Sequence, residues 1–208
     1  MTKSYKTVIK DFATDSFIEK KSEFISYVKR IENEDEAKAF IKEISTKHSD
    51  ATHNCYAYIL KDTEVARFSD DGEPSGTAGM PMLEAIKREG LSGVCVVVTR
   101  YFGGILLGAG GLVRAYAKAA KIGIDVAGIA EFVPYVCFEA KVSYSDYEKL
   151  TREMHKYEVN CTDTVFEADV MLTMNAKSEN YEKFSAFVSD YTGGKVICTV
   201  IGETFGPA

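Results

Sequence analysis

The sequence lacks the features that mark membrane, secreted and zinc-binding proteins. Its uninterrupted apolar runs, such as Val94–Val98, fall far short of the roughly 20 residues that a helix needs to cross a bilayer. The first residues do not form the continuous apolar segment of a signal peptide. The five cysteines are widely spaced and contain no CxxC pair, so a disulfide framework or a zinc site is not expected. These absences predict a cytoplasmic protein with reduced, buried thiols and no contact with membranes.

Acidic residues are also missing where basic ones gather. The chain contains 25 Lys and Arg against 31 Asp and Glu, which gives a net charge of −6. Residues 1–130 contain 18 of each sign, so the whole acidic excess lies beyond them. Residues 90–124 contain no acid and four bases, Arg100, Arg114, Lys118 and Lys121. Such a local excess of positive charge predicts one surface for an anionic partner.

The last third of the chain follows the pattern of a ferredoxin-like domain. Strand-like alternation and helical spacing succeed one another in the order βαββαβ. One helix is predicted to begin at Ser145, with Glu148 completing a capping box. Another is predicted to begin at Ser178 and to end at Gly193. The strands are predicted at residues 136–144, 159–161, 166–174 and 196–201.

The first part of the chain also mixes strands and helices. Asn33 with Glu36 predicts a helix start, and Pro81 suits the first turn of a second helix. The continuous apolar segment Gly93–Arg100 predicts a central strand covered on both faces. Further elements are predicted as a strand at 24–31, a hairpin of 54–60 and 65–68 across Lys61 and Asp62, and a helix at 112–125.

Gly128 and Pro134 bracket the predicted domain boundary. The pattern therefore predicts an α+β protein of two domains, residues 1–130 and residues 134–208.

The segment from Thr99 to Tyr116 contains the densest functional signal. Five of the sixteen glycines lie within nine residues, between the apolar strand and a helix with basic residues at i, i+4 and i+7. Glycines let a ligand approach the main chain closely, and free N–H groups at a helix start favour an anion. The segment predicts an anion or nucleic-acid site, with tight strand–helix packing as the structural alternative. The candidate residues are Arg100, Tyr101, Phe102, Gly103, Gly104, Gly108, Gly110, Gly111, Arg114, Lys118 and Lys121.

Known nucleotide-binding motifs fit this segment poorly. The run Gly108–Val113 misses the last glycine of the dinucleotide fingerprint, and no acidic residue follows at the distance that a ribose needs. The GKS or GKT of a phosphate-binding P-loop is absent. The sequence therefore predicts no cofactor.

A second cluster, Ser69–Gly79, offers secondary candidates. Asp70, Asp71 and Glu73 could bind Mg²⁺ through oxygen ligands, or they could form a tight turn, which is the favoured interpretation. Ser75 stands one place too late for a nucleophile elbow. His53 precedes Cys55 by two residues, but a local hydrogen bond explains this histidine better than a nucleophilic pair does. No catalytic residue and no metal ligand is assigned.

Four segments in this order, KSEFIS, THNCYAYIL, SDDGEPSGTAGMPML and VVVTRYFGGILLGAGGLVRAYAKAA, make the chain resemble the IMPACT/YigZ family. The similarity spans about residues 18–124, and the last third resembles the second domain of the bacterial members. Met80 departs from the pattern, because a basic residue is expected there in many relatives. This departure weakens any phosphate contact by the loop around it.

The resemblance implies a first domain like the fourth domain of elongation factor G, a ribosomal-protein-like βαβ fold. It implies a second domain like the fifth domain of that factor. Eukaryotic relatives regulate translation by competing for an activator of the amino-acid-starvation kinase, with an additional amino-terminal domain. For bacterial members, RNA or ribosome binding is the usual suggestion. The resemblance supplies no catalytic residues.

Three functions follow from the residues and the resemblance together. The first is a non-enzymatic RNA- or ribosome-binding protein in translation regulation or stress response, with Tyr101 or Phe102 stacking on a base. The second is a nucleotide or small-molecule enzyme that uses the Gly103–Gly111 loop. The third is a module that binds a translation-regulating protein.

Overall fold

The computed structural model describes residues 4–61 and 65–208 of the chain. These residues form two compact units, here called the first domain, Tyr5–Glu131, and the second domain, which contains Phe132–Ala208. Both are built from strands and helices, so the α+β class is confirmed. Within the described ranges, no helix is both long and apolar enough to cross a membrane.

The first domain has three helices around one large sheet. Its elements are β1 (Tyr5–Val8), β2 (Phe12–Glu19), β3 (Ser22–Arg30), α1 (Glu34–Lys47), β4 (His53–Ile59), β5 (Ala66–Ser69), α2 (Gly79–Arg88), β6 (Val94–Tyr101) and α3 (Ala109–Ala127). The sheet has the order β2-β3-β6-β4-β5, with every neighbouring pair antiparallel. The predicted hairpin is confirmed as β4 and β5, although Asp62 lies outside the described residues.

Strand β6 forms the centre of this sheet. All of its residues from Val94 to Arg100 are buried, which confirms the central strand that its continuous apolar run predicts. Val94, Val96 and Val98 pack in a core with α2 and α3. Cys95 and Val97 pack in a separate core with α1 on the opposite face. Helix α1 therefore covers one face of the sheet, and helices α2 and α3 cover the other.

Local hydrogen bonds explain where the helices of this domain begin. The Asn33 side chain accepts the backbone N–H of Glu36 at 2.9 Å, as the sequence predicts for the start of α1. Pro81 is the third residue of α2, within the first turn. Helix α3 begins at Ala109, three residues before the predicted start, so Gly110 and Gly111 belong to its first turn.

The second domain has the strand order expected of a ferredoxin-like fold. Its elements are β7 (Ile129–Val142), α4 (Tyr144–Met154), a 3₁₀ turn (His155–Tyr157), β8 (Asn160–Phe166), β9 (Val170–Lys177), α5 (Ser178–Thr192) and β10 (Thr199–Pro207). Antiparallel pairing places the strands in the order β10-β7-β9-β8. This βαββαβ connection confirms the ferredoxin-like prediction.

Several local predictions for this domain are wrong by a few residues, among them the last strand, which begins at Thr199 and not at residue 196. Helix α4 is capped by Ser143, whose hydroxyl accepts the backbone N–H of Asp146, and not by Ser145. Ser178 is the first residue of α5 and makes no side-chain cap. The predicted strand 166–174 is divided, because a backbone hydrogen bond from Glu167 to Asp169 turns the chain between β8 and β9. Alternation continues across this turn, so the sequence pattern does not show it.

All five cysteines are free. Cys55 and Cys95 are fully buried in the first domain, one in each core, and burial raises the pKa of the Cys55 thiol to about 12. Cys198 is also buried. Cys161 is exposed on β8, so the prediction of a buried thiol is wrong there.

Candidate nucleic-acid interface

A basic groove of about 150 Å³ lies between helix α3 and the turn that joins β2 to β3. Its basic side chains are Lys20 from the turn and Arg114 and Lys118 from the helix. Phe17 lines the groove, and the Lys118 ammonium lies 4.1 Å from the centre of its ring. Glu19 is the acidic residue in the lining. None of the ion pairs among residues 4–61 and 65–208 involves the three basic residues.

The turn at the edge of this groove has an uncommon backbone conformation. Lys20 and Lys21 have φ angles of 46° and 66°, in the left-handed region that residues other than glycine seldom occupy. They form the two-residue connection between Glu19 and Ser22, where such angles match the twist of the paired strands. The strand β2 before them was not predicted from the sequence. The structure brings Lys20 to the predicted basic helix.

Gly103 holds the glycine-rich loop against this turn. A Cβ atom at Gly103 would lie 2.0 Å from the carbonyl group of Lys21, so no other residue fits without movement. The Gly103 N–H donates to the Ser22 hydroxyl at 3.2 Å. Gly103 therefore has the packing role that the sequence allowed as an alternative to ligand binding.

The predicted basic stripe is only partly available to a ligand. The ammonium of Lys121 lies 3.3 Å from a carboxylate oxygen of Glu89 and also pairs with Asp125. These hydrogen bonds raise the pKa of Lys121. Arg114 and Lys118 have no such partners in the described part of the chain, so the first half of α3 carries the unpaired charge.

A cleft of about 380 Å³ adjoins the basic groove, and Leu107 lines both. His53, Glu73 and Arg100 supply its polar lining. Phe102 and Leu106 stand at its edge and are 44% and 80% exposed. The cleft is therefore largely apolar at its mouth, with a few converging polar groups below.

A buried ion pair lies beneath this cleft. An Arg100 Nη1 donates to Glu73 Oε1 at 2.5 Å, and the Tyr116 hydroxyl donates to the same oxygen at 2.8 Å. Arg100 is 4% exposed and Glu73 is 7% exposed. Burial raises the pKa of Tyr116, which keeps its proton on the hydroxyl. The Glu73 carboxylate thus neutralises the charge of Arg100. Because the guanidinium is buried, it is not available for the phosphate contact that the sequence predicts.

Asp70 and Asp71 stabilise the loop that carries Glu73. The Asp70 carboxylate accepts backbone N–H groups from Gly76, Ala78 and Gly79 at 2.8 to 3.0 Å. Burial disfavours its charge, but these hydrogen bonds outweigh burial and lower its pKa. The Asp70 carboxylate oxygens therefore stabilise the turn through backbone hydrogen bonds, which agrees with the interpretation of this segment as a tight turn.

Other members of the loop are placed as follows. Asp71 accepts the Asn54 N–H at 2.6 Å, and Ser75 is exposed. Among the described residues, no group of three or more His, Cys, Asp or Glu side chains is arranged to hold a metal ion.

His53 presents one ring nitrogen to the cleft. Its Nδ1 lies 2.7 Å from the carbonyl oxygen of Asp71, which can only accept, so Nδ1 carries the proton in the neutral ring. Nε2 is then an acceptor and lies 3.8 Å from Glu73 Oε1. The local hydrogen bond agrees with the sequence interpretation, and the Cys55 side chain points to the core.

Tyr101 lies on the other face of the sheet from Arg100, because successive residues of a strand point in opposite directions. Its hydroxyl donates to Asp50 at 3.0 Å and lies 2.9 Å from His48 Nδ1. Tyr101 is therefore separated from both the groove and the cleft, whereas Phe102 lines the cleft. The sequence analysis treated Tyr101 and Phe102 as equivalent stacking residues because they are neighbours in the chain.

The start of α3 separates the groove from the cleft. Gly108 is the N-cap residue, with φ of 72°, so no side chain caps the start of the helix. Its carbonyl accepts the N–H groups of Gly111 and Leu112. No hydrogen bond within the described ranges uses the N–H groups of Ala109 and Gly110, which are exposed. Gly104, with φ of 83°, is exposed in the loop before them.

Fold and site together describe a two-domain α+β protein with a basic groove and an adjoining cleft in its first domain. The model of the Impact N-terminal domain matches residues 20–124, and that of a domain of unknown function, DUF1949, matches residues 141–195. The chain belongs to the IMPACT family.

Relatives extend over nearly the whole chain. The IMPACT family member YvyE of Bacillus subtilis is 37% identical over 94% of this chain and 90% of its own length. The IMPACT family member YigZ of Escherichia coli is 32% identical over 88% of this chain and 92% of its own. A crystal structure of a hypothetical protein, 29% identical, matches with a TM-score of 0.62 and covers 97% of this chain and 99% of that chain.

Proposed function

We propose that this protein binds RNA or the ribosome through the basic groove and acts without catalysis in translation regulation or stress response. The observation that carries the proposal is the convergence of Lys20, Arg114 and Lys118, which come from two separate elements and have no carboxylate partner within the described ranges. Membership of the IMPACT family supports the connection with translation, which the resemblance of the signature segments implies.

The physical argument is one of unpaired charge. A cation that pairs with a protein carboxylate gains little from a phosphate, whereas the three cations of the groove remain available. The free N–H groups of Ala109 and Gly110 lie at the positive end of the α3 dipole and add to the attraction. Glu19 reduces this potential without cancelling it.

The contact should be confined to the first domain. Residues 131–208 contain 7 basic and 13 acidic residues, so phosphates are repelled there. Three phosphate contacts on a single strand give a slope of about −2 in a plot of log affinity against log salt. A much steeper slope would show that other cations take part.

The direct test is the double variant Arg114→Glu with Lys118→Glu. Binding of a fluorescein-labelled single-stranded RNA 12-mer, measured by anisotropy, should fall at least about tenfold at low salt. The matched control is Lys38→Glu with Lys42→Glu on α1, which changes charge equally on the opposite face. Equal binding by both double variants and the unmodified protein would overturn the groove as the contact.

The kind of partner is tested by purification from cells with and without nuclease. Loss of ribosomal components after nuclease treatment is expected for contact through RNA. Partners that remain bound would instead favour a translation-regulating protein as the ligand, which is the alternative function.

A further inference from the structure

We propose that the cleft beside the basic groove binds one unstacked nucleobase of a single-stranded RNA, with a preference for a base that carries an amino group. The inference rests on the proposed function, since the groove would hold the phosphates of the same strand. It adds the class of RNA and the part of the nucleotide that is read.

The groove and the cleft suit different chemical groups of a ligand. The groove presents unpaired cations, as a phosphate requires. In the cleft, the charge of Arg100 is already satisfied by Glu73, so the cleft offers an anion no free positive side chain. A neutral, planar group fits it better. A nucleotide combines both kinds of group, and Leu107 lines both hollows.

The size and the mouth of the cleft suit a single ring system. Its volume of about 380 Å³ lies near the lower end for small-ligand sites and is too small for a helix or strand of a partner. The Phe102 ring is 44% exposed, and the Arg100 guanidinium lies 5.4 Å from its centre. An exposed ring at a cleft edge is the usual platform on which an unpaired base stacks.

The polar lining presents acceptors from His53 and Glu73, together with the Thr52 hydroxyl, which accepts the Phe102 N–H and can donate its own proton. In the neutral ring, His53 Nε2 accepts because Nδ1–H is bonded to the Asp71 carbonyl. Glu73 is a carboxylate, and Arg100 and Tyr116 both bond to its Oε1, so Oε2 remains. Acceptors match the exocyclic amino group of cytosine and repel the carbonyl oxygen that uracil has at the same position.

The experiment compares three labelled 12-mers in anisotropy titrations at one salt concentration: oligocytidylate, oligouridylate and a 12-mer that lacks all bases. Oligocytidylate should bind about tenfold more tightly than oligouridylate, which corresponds to about 1.4 kcal/mol. The abasic strand retains every phosphate and should bind most weakly. Cytosine and uracil rings are alike in size, so their difference reports the exchange of an amino group and an N3 acceptor for a carbonyl oxygen and an N3–H donor.

Two variants locate the base. Phe102→Ala should weaken oligocytidylate binding about 5- to 150-fold, the range for loss of one stacking platform, and should leave the abasic strand unaffected. Leu106→Glu places a charge at the cleft mouth. Its control is Ile105→Glu, an equal charge change at the neighbouring residue, which is 42% exposed and outside the cleft lining. Circular dichroism confirms that each variant is folded.

The outcomes separate this inference from the proposed function. Equal binding of the three strands, or equal effects of Leu106→Glu and Ile105→Glu, would overturn the base site while salt-sensitive binding through Arg114 and Lys118 still stood. Absence of binding to every strand would overturn both. Preference for oligocytidylate that disappears in Phe102→Ala supports the base site.

Discussion

The two faces of the first domain's sheet are closed in different ways. On the face with α2 and α3, a buried ion pair between Glu73 and Arg100 lies beneath an open cleft. On the face with α1, neutral groups form a chain, in which the Tyr27 hydroxyl lies 2.6 Å from His48 Nε2 and His48 Nδ1 lies 2.9 Å from the Tyr101 hydroxyl. A buried ion pair accompanies the cleft on one face, and a tyrosine–histidine chain that ends at the exposed Asp50 carboxylate lies on the other.

The largest difference between the faces is expected when one acidic residue is removed from each. Glu73→Ala leaves Arg100 buried without a partner and should lower the free energy of unfolding by about 3–5 kcal/mol. Asp50→Ala removes the exposed acceptor of the Tyr101 hydroxyl and should cost about 1 kcal/mol or less. Urea unfolding of both variants measures the two values. Similar losses would show that the ion pair is not the main constraint on its face.

A smaller loss is expected from the contact that holds the glycine-rich loop against the Lys20–Lys21 turn. Gly103→Ala forces the Lys21 carbonyl to move and should cost about 1–3 kcal/mol. Gly110→Ala is the control, because the nearest atom to its new methyl group is 3.7 Å away, on Arg114. Alanine favours a helix, so this variant should gain up to about 1 kcal/mol. A stabilised Gly103→Ala would contradict the packing role of this glycine.

The smallest effect concerns pH and the face with α1. Burial, and then the nearby charge of Lys47, lower the pKa of His48 below 6.5. The unfolded chain therefore binds a proton more readily than the folded one, and stability is lost as the pH falls below 6.5 toward the folded pKa. Melting temperatures at pH 7.5 and 5.5 should differ less in His48→Gln than in the unmodified protein. An unchanged difference would assign the pH dependence to other groups.

The sequence predicts most of the fold because local signals agree with the final structure. The continuous apolar run of β6, the Asn33 cap and the order of elements in the second domain all have local physical causes. Strand β2 was missed because it lies at the sheet edge and carries polar residues on its exposed side. Its contribution depends on pairing with β3, which no local pattern records.

The candidate site was predicted less completely, because its residues meet through tertiary contacts. The glycine-rich segment and the first half of α3 are adjacent in sequence and could be recognised together. Lys20 reaches the same groove through a turn some ninety positions earlier in the chain. The pairing of Arg100 with Glu73 and of Lys121 with Glu89 depends on side-chain geometry, so charge alone overestimated the available surface.

The separate burial of two thiols allows each face of the sheet to be monitored by chemical labelling. Cys55 lies in the core beneath α2 and α3, and Cys95 lies in the core beneath α1. A thiol reagent should modify exposed Cys161 at once and reach the other two only when their cores open. Mass spectrometry of the peptides during brief labelling would therefore time the opening of each core, and equal rates would mean that the sheet loses both layers in a single cooperative event.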